Sequence, residues 1–150
     1  MSEGPRVGIT KVAGCKRIVG GRGQGPALVS AQPLNFLAMI DPRTGVVKDQ
    51  ASELYGKSIA GTTLVFPFAT GSSVGAYVFY SIGVMRKSPS AIVCTKADIT
   101  TASGCAIAKI PLVDLPKGYD LASICNGAEL YVDADQGTIT EKIKSKSGDL

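Results

Sequence analysis

Histidine is absent from this chain of 150 residues, and so is tryptophan. The first absence removes the usual side-chain base near neutral pH, and with it any Ser-His-Asp or Cys-His arrangement for nucleophilic catalysis. It also removes the commonest partner of cysteine in zinc sites. Cysteine itself is scarce. Cys15, Cys94, Cys105 and Cys125 stand far apart with no C-x-x-C pair, so this chain alone is expected to hold neither a metal ion nor an iron–sulfur cluster. Met1–Thr10 is polar and broken by glycine and proline, unlike a secretory leader. The four cysteines are therefore expected as reduced, buried thiols of a cytoplasmic protein.

Concentrated charge and long apolar runs are lacking too. The 16 basic residues exceed the 12 acidic ones, but they are dispersed, and aromatics make up only 6%. A basic face with interleaved aromatics is missing, so no nucleic-acid partner is expected. Lys142, Lys144 and Lys146 alternate with Ile143 and Ser145 and read as a solvated tail. The most apolar stretch, residues 62–85, is interrupted by Pro67, Gly71, Ser72, Ser73 and Gly75. It falls well short of the roughly 20 residues of a membrane span, so no membrane partner is expected.

What is there is a core-forming composition, with 45% hydrophobic residues, punctuated by 18 glycines and 8 prolines. Short elements joined by many turns follow. Residues 1–14 read as a loose extension, 15–143 as one domain and 144–150 as a polar tail. Arg17–Gly20 and Ala27–Ser30 read as short strands joined by a glycine-rich connector, 20–26, that lacks dinucleotide-site spacing. Leu34–Ile40 and Val46–Lys48 flank Asp41-Pro42-Arg43-Thr44-Gly45, a turn that predicts a hairpin. Thr62–Phe66 is a strand ended by Pro67. From Ser73, Val74, Tyr77, Val78, Ile82 and Met85 recur at helical spacing, with Arg86 and Lys87 in the last turn. Ala91–Cys94 then completes a strand–helix–strand crossover, which predicts parallel strands. Residues 102–108 suit a short helix or a loop, and Ile110–Val113 a strand. Ala128–Val132 and Thr138–Ile143 form a closing hairpin around Asp133-Ala134-Asp135-Gln136-Gly137, whose aspartates serve the turn better than a calcium loop. The fold class this predicts is α+β, a layered β/β/α domain with mixed strand directions.

Gly71-Ser72-Ser73-Val74-Gly75 carries the chemistry. It fits G-x-S-x-G, but a nucleophile elbow needs a histidine base, which excludes a hydrolase working alone. Two readings stay open. In one, a serine simply caps the helix that follows. In the other, hydroxyls and free backbone N–H groups cradle an oxyanion while one hydroxyl moves a proton. An alcohol ionises near water's pKa of about 15.7, and a helix N-terminus lowers that by roughly 1.5 units at most. A serine base here needs further positive charge. No basic residue lies within the motif, so that charge is expected from another polypeptide.

An ordered series of segments then resembles one family. It runs through Gly25-Pro26-Ala27-Leu28-Val29-Ser30, Pro33-Leu34-Asn35-Phe36, Asp41–Val46, Leu54–Gly61, Leu64-Val65-Phe66-Pro67, Gly71–Val78, Ile110-Pro111-Leu112-Val113 and Val132–Gly137. Over about residues 17–140 the chain is similar to the small subunit, or swivel domain, of the aconitase X group. The resemblance implies a swivelling β/β/α domain that docks on an aconitase X-type large subunit carrying an iron–sulfur cluster. It also implies dehydration of a small hydroxy acid, 5-phosphomevalonate in the archaeal mevalonate pathway, with cis-3-hydroxyproline or another aconitase X-type substrate as the alternative and a non-catalytic docking module as the second. Ser72 aligns with the family's proton acceptor, with cluster iron drawing off the departing hydroxyl, while Gly71, Ser73 and Val74 would hold the substrate's negative end. Two departures stand out. Phe68-Ala69-Thr70 replaces a segment that is often basic, and Ser52-Glu53 stands where His-Pro is common.

Overall fold

Strands buried on both faces need apolar residues at consecutive positions, and four runs in this chain provide them. The computed structural model describes residues 7–144. In chain order its strands are β1 (Val7–Val12), β2 (Lys16–Val19), β3 (Arg22–Val29), β4 (Thr63–Phe66), β5 (Ala91–Cys94), β6 (Leu112–Asp114), β7 (Glu129–Asp133) and β8 (Thr138–Lys144). The helices are α1 (Phe36–Met39), α2 (Gly75–Val84) and α3 (Ile99–Ala108), with one 3-10 turn at Leu121–Ser123.

The strand order is β1-β8-β7-β3-β4-β5-β6-β2. The second half of β3 runs parallel with β4, β5 and β6, and β2 adds antiparallel to β6. The first half of β3 pairs antiparallel with β7, which pairs with β8, which pairs with β1. Side chains alternate across the parallel strands. Leu28, Leu64, Phe66, Ile92, Cys94 and Leu112 join Phe36, Phe79 and Ile82 in the core beneath the helices. Ala27, Val65, Ala91, Val93 and Val113 join Leu130, Val132 and Ile139 in a second core between the sheets. The result is the expected α+β domain with sheet, sheet and helices in three layers. No helix among the described residues is long and apolar enough to cross a membrane.

The β4–α2–β5 crossover and the β7–β8 hairpin stand as expected. Residues 7–12 do not belong to a loose extension, because β1 pairs along β8 from Val7↔Lys144 to Val12↔Ile139. Lys142 and Lys144 lie in β8, so the run does not begin as a free tail; residues 145–150 lie outside the described residues. The glycine-rich connector is itself strand. A side chain at Gly23 would fall on the Ser90 carbonyl, and one at Gly25 on the Gly61 carbonyl, so glycine is what lets these backbones cross. Leu34–Ile40 forms no strand. Asn35 caps a short helix that buries Phe36 and Met39, and only the isolated bridge Ile40↔Val47 remains of the hairpin. On α2 the buried face is Gly75, Val78, Phe79 and Ile82, leaving Val74, Tyr77 and Met85 exposed. The helix stops at Val84, and Arg86 lies beyond it at φ 59°. Cys15, Cys94 and Cys105 are buried free thiols, whereas Cys125 is exposed.

Candidate functional site at the serine turn

Pro67 cannot donate to the sheet and ends β4, after which residues 68–74 return the chain to the start of α2. This loop is clamped from both sides. From one side, Leu34 N–H donates to the Phe68 carbonyl at 3.2 Å and Thr70 N–H to the Leu34 carbonyl at 2.9 Å. From the other, the Ala69 N–H donates to Asp98 Oδ1 at 2.7 Å, and Lys96 N–H to the Pro67 carbonyl at 3.2 Å. The same Asp98 carboxylate caps α3, accepting from Thr101 N–H at 3.0 Å and from the Thr101 hydroxyl at 2.8 Å. Partial burial pushes the Asp98 carboxyl up, but the donors at Ala69 and Thr101 outweigh it and hold the pKa below its ordinary value.

Gly71 has φ +97°, a left-handed region that favours glycine, and a side chain there would meet the Asn35 carboxamide within 2.9 Å. The turn that follows is exposed over Gly71, Ser72, Ser73 and Val74. The Val74 N–H donates to Ser72 Oγ at 3.1 Å. Gly75 N–H donates to the Ser72 carbonyl at 2.9 Å and Ala76 N–H to the Ser73 carbonyl at 3.0 Å, so the chain is already winding before the helix proper. The N–H groups of Gly71, Ser72 and Ser73 find no acceptor among the described residues.

The four residues expected at the site are thus together, with one change of role. The Val74 N–H is occupied by Ser72 Oγ and is not free for a ligand. That bond favours the charged form of the hydroxyl, as does the position at the start of α2. It also leaves the hydroxyl proton free of the turn. The capping reading is not met as expected, since Val74 stands at the cap position without a side-chain cap bond, and Ser72 Oγ instead braces the turn ahead of the helix with its hydroxyl exposed.

Gly75 lies 3.4 Å from Thr100 Cγ2 and 3.9 Å from Leu37 N, measured from where its Cβ would be. The starts of α1 and α3 therefore flank that of α2. The positive end of α3 is met by Asp98, whereas α2 has no acidic residue in its first turn and no charged cap. Of the two longer helices, α2 has the N-terminus open to an external anion.

The cysteines do not form a cluster site. Cys94 and Cys105 are fully buried beneath the helices, Cys15 is buried between the sheets, and Cys125 lies beside Glu141. Burial pushes the Cys94 and Cys105 thiols well up, which disfavours the thiolate a metal needs. Among the described residues, no three cysteine, aspartate or glutamate side chains gather as a ligand set. The paired aspartates of the closing hairpin are structural. Asp133 accepts from Gln136 N–H at 3.0 Å and lies 3.4 Å from Arg22, while Asp135 accepts from Gly21 N–H at 3.1 Å. A cleft of about 510 Å³ lined by Gln24, Cys125, Asn126 and Lys142 belongs to the antiparallel sheet and does not include the serine turn.

Asp98 escaped the sequence reading, although an aspartate before Ile99-Thr100-Thr101 carries the signature of a helix cap. Asn35 stood within the resembling segments without a role, and its place before Phe36 is a cap signature of the same kind.

Known proteins bear on this geometry directly. A family model described as the aconitase X swivel domain matches residues 12–141. The phosphomevalonate dehydratase small subunit of Thermococcus kodakarensis is 44% identical over 124 residues, covering 83% of this chain and 91% of that protein. The subunit of the same name from Methanothermobacter thermautotrophicus is 43% identical over 125 residues, covering 83% and 95%. The crystal structure of Thermococcus kodakaraensis aconitase X in its holo-form superposes with a TM-score of 0.82 at 42% identity, covering 89% of this chain and 98% of that one.

Proposed function

Since the chain belongs to the aconitase X swivel domain family, we propose that it is the small subunit of a dehydratase that removes water from 5-phosphomevalonate. In this reading Ser72 is the proton acceptor, taking the proton from the carbon beside the substrate carboxylate. The observation that carries it is the exposed Ser72 hydroxyl, fixed by the Val74 N–H at 3.1 Å at an open helix N-terminus. The names of the relatives, which match over more than four fifths of this chain, support this choice of substrate.

Within the subunit, the division of labour follows from the groups present. Val74 N–H and the α2 N-terminus stabilise negative charge on Ser72 Oγ. The N–H groups of Gly71, Ser72 and Ser73 are donors for the substrate's negative end. Residues 67–75 contain no lysine or arginine, so the positive charge that completes the activation comes from outside the turn, and we assign it to the large subunit. The iron–sulfur cluster implied by the family has no fitting ligand set among the described residues, and it too belongs to the large subunit. Exposed Leu37, Phe68, Val74, Tyr77 and Ile99 lie close to the turn, a density of apolar surface that suits coverage by a partner.

Co-expression with the large subunit should give a dehydrating complex. In that complex Ser72→Ala should lower kcat by about 10²–10⁴-fold, the usual contribution of a positioned acid or base. Assembly, followed by size-exclusion chromatography, should be unchanged. A Ser72→Ala complex with wild-type kcat would remove the serine from the mechanism.

A further inference from the structure

We infer that Asn35 is a further substrate-contacting residue, whose Nδ2 group donates to a carboxylate oxygen of the substrate held at the serine turn. The inference rests on the reading of Ser72 as proton acceptor and extends it to a residue on a different element. Asn35 Oδ1 accepts from Ala38 N–H at 3.1 Å. Only the oxygen of a carboxamide can accept, so this bond fixes which end is Nδ2. Nδ2 carries two N–H donors, and neither has an acceptor among the described residues.

The carboxamide lies against the residue that precedes Ser72. Nδ2 is the Asn35 atom nearest to where a Gly71 side chain would stand, at 2.7 Å. It is mounted on the frame that holds the turn, because Leu34 exchanges backbone hydrogen bonds with Phe68 and Thr70. The Asn35 N–H is occupied by Met39 Sδ at 3.2 Å, so the side chain is the free donor of this residue. The side chain is half-buried, which strengthens a hydrogen bond to an anion relative to one in open water.

The chemistry fits an oxyanion. Loss of a proton from the carbon beside a carboxylate pushes negative charge onto the carboxylate oxygens, and fixed neutral donors stabilise that charge as it develops. With no cation within residues 67–75, the Asn35 carboxamide adds a neutral donor on a fixed frame beside the hydroxyls and N–H groups of the turn.

Asn35→Ser and Asn35→Asp separate this role from helix capping, since both keep an oxygen for the Ala38 N–H, while aspartate has no donor and the serine hydroxyl ends one bond short of where Nδ2 stands. In the assembled enzyme, Asn35→Ser should lower kcat/KM by about 10- to 100-fold, as loss of a hydrogen bond to a charged group does. Asn35→Asp should lower it further, because it sets a negative charge against the substrate's own. The melting temperature of each small subunit should stay within about 3 °C of wild type. Asn35→Ser with kcat/KM within twofold of wild type overturns the inference, as does Asn35→Asp more active than Asn35→Ser. A parallel Ser72→Ala complex tells the two claims apart. If Ser72→Ala is inactive and Asn35→Ser is not impaired, only the role of Asn35 falls; if both match wild type, the reading of the serine turn falls with it.

Discussion

Asp98, the cap of α3, and Asp114, the last residue of β6, are two carboxylates shifted in opposite directions. Asp98 is held below its ordinary 3.8 because the Ala69 and Thr101 donors outweigh burial. Its contribution to stability is therefore present above that value and lost as pH falls through the folded pKa. Asp114 is pushed above 3.8 by burial, against the pull of Ala97 N–H and the charges of Lys16 and Lys96. Its contribution is present below the ordinary value and lost as pH rises through the folded pKa. Asp98→Asn should lower the melting temperature at pH 7 and flatten its decline below about pH 4, because the substitution removes the group whose protonation unlocks the loop. Asp114→Asn keeps an oxygen for Ala97 N–H at 2.8 Å and removes the cost of a buried charge, so its melting temperature at pH 7 should equal or exceed wild type. Thermal denaturation across pH 3–8 checks both (a range spanning the two carboxyls). Neither residue is singled out by sequence alone, since a cap and a loop clamp become one function only when Ala69 and α3 are brought together in space.

At the scale of elements, legibility follows the strength of local signals. The β4–α2–β5 crossover can be read from sequence because Pro67 and Pro89 punctuate it and its strands are unbroken apolar runs. The buried face of α2 cannot be read in the same way, since Val74, Tyr77 and Met85 share its periodicity yet face outward. The missing information is the position of α3. A methyl group at Gly104 would fall on the Phe79 ring, so α3 approaches α2 along the side that buries Phe79 and Ile82. Gly104→Ala should destabilise the subunit by about 1–3 kcal/mol through overpacking. Gly83→Ala is the control. A methyl there would stand 3.6 Å from Ala108 Cβ, an ordinary contact, so this variant should gain about 0.4–1 kcal/mol. With each kcal/mol worth about 2–4 °C at this size, thermal melts should move the two variants in opposite directions. The glycine-rich β3 defeats local reading for a related reason, because the carbonyls of Ser90 and Gly61 that exclude side chains at Gly23 and Gly25 come from distant segments. The serine turn is the reverse case. Its residues are contiguous, and sequence alone brings Gly71, Ser72, Ser73 and Val74 together, although not the clamp around them.

Over the whole molecule, exposed apolar side chains gather where the candidate site opens. Tyr77 is 70% exposed and Val74 47%, on the turn of α2 that follows Ser72. If a large subunit completes the site, it must approach this surface, and tyrosine is a residue type that anchors interfaces. Tyr77→Asp should weaken assembly by about tenfold or more in titrations of the two subunits, leaving the melting temperature of the isolated small subunit within about 3 °C. The sheet order has a consequence of another kind, for the birth of the chain. β1 pairs with β8, and the first half of β3 with β7, so the antiparallel sheet joins the first strand of the fold to its last. The parallel strands β4 to β6 lie in the middle and are synthesised before their cover. Until β7 and β8 leave the ribosome, Val65, Val93 and Val113 have no opposite layer of Leu130, Val132 and Ile139 to face. Folding must therefore wait for β7 and β8, through contacts of long sequence separation, and such contacts make folding slow. A nascent chain arrested before Glu129 exposes one apolar sheet face, the form in which this subunit is most prone to aggregate.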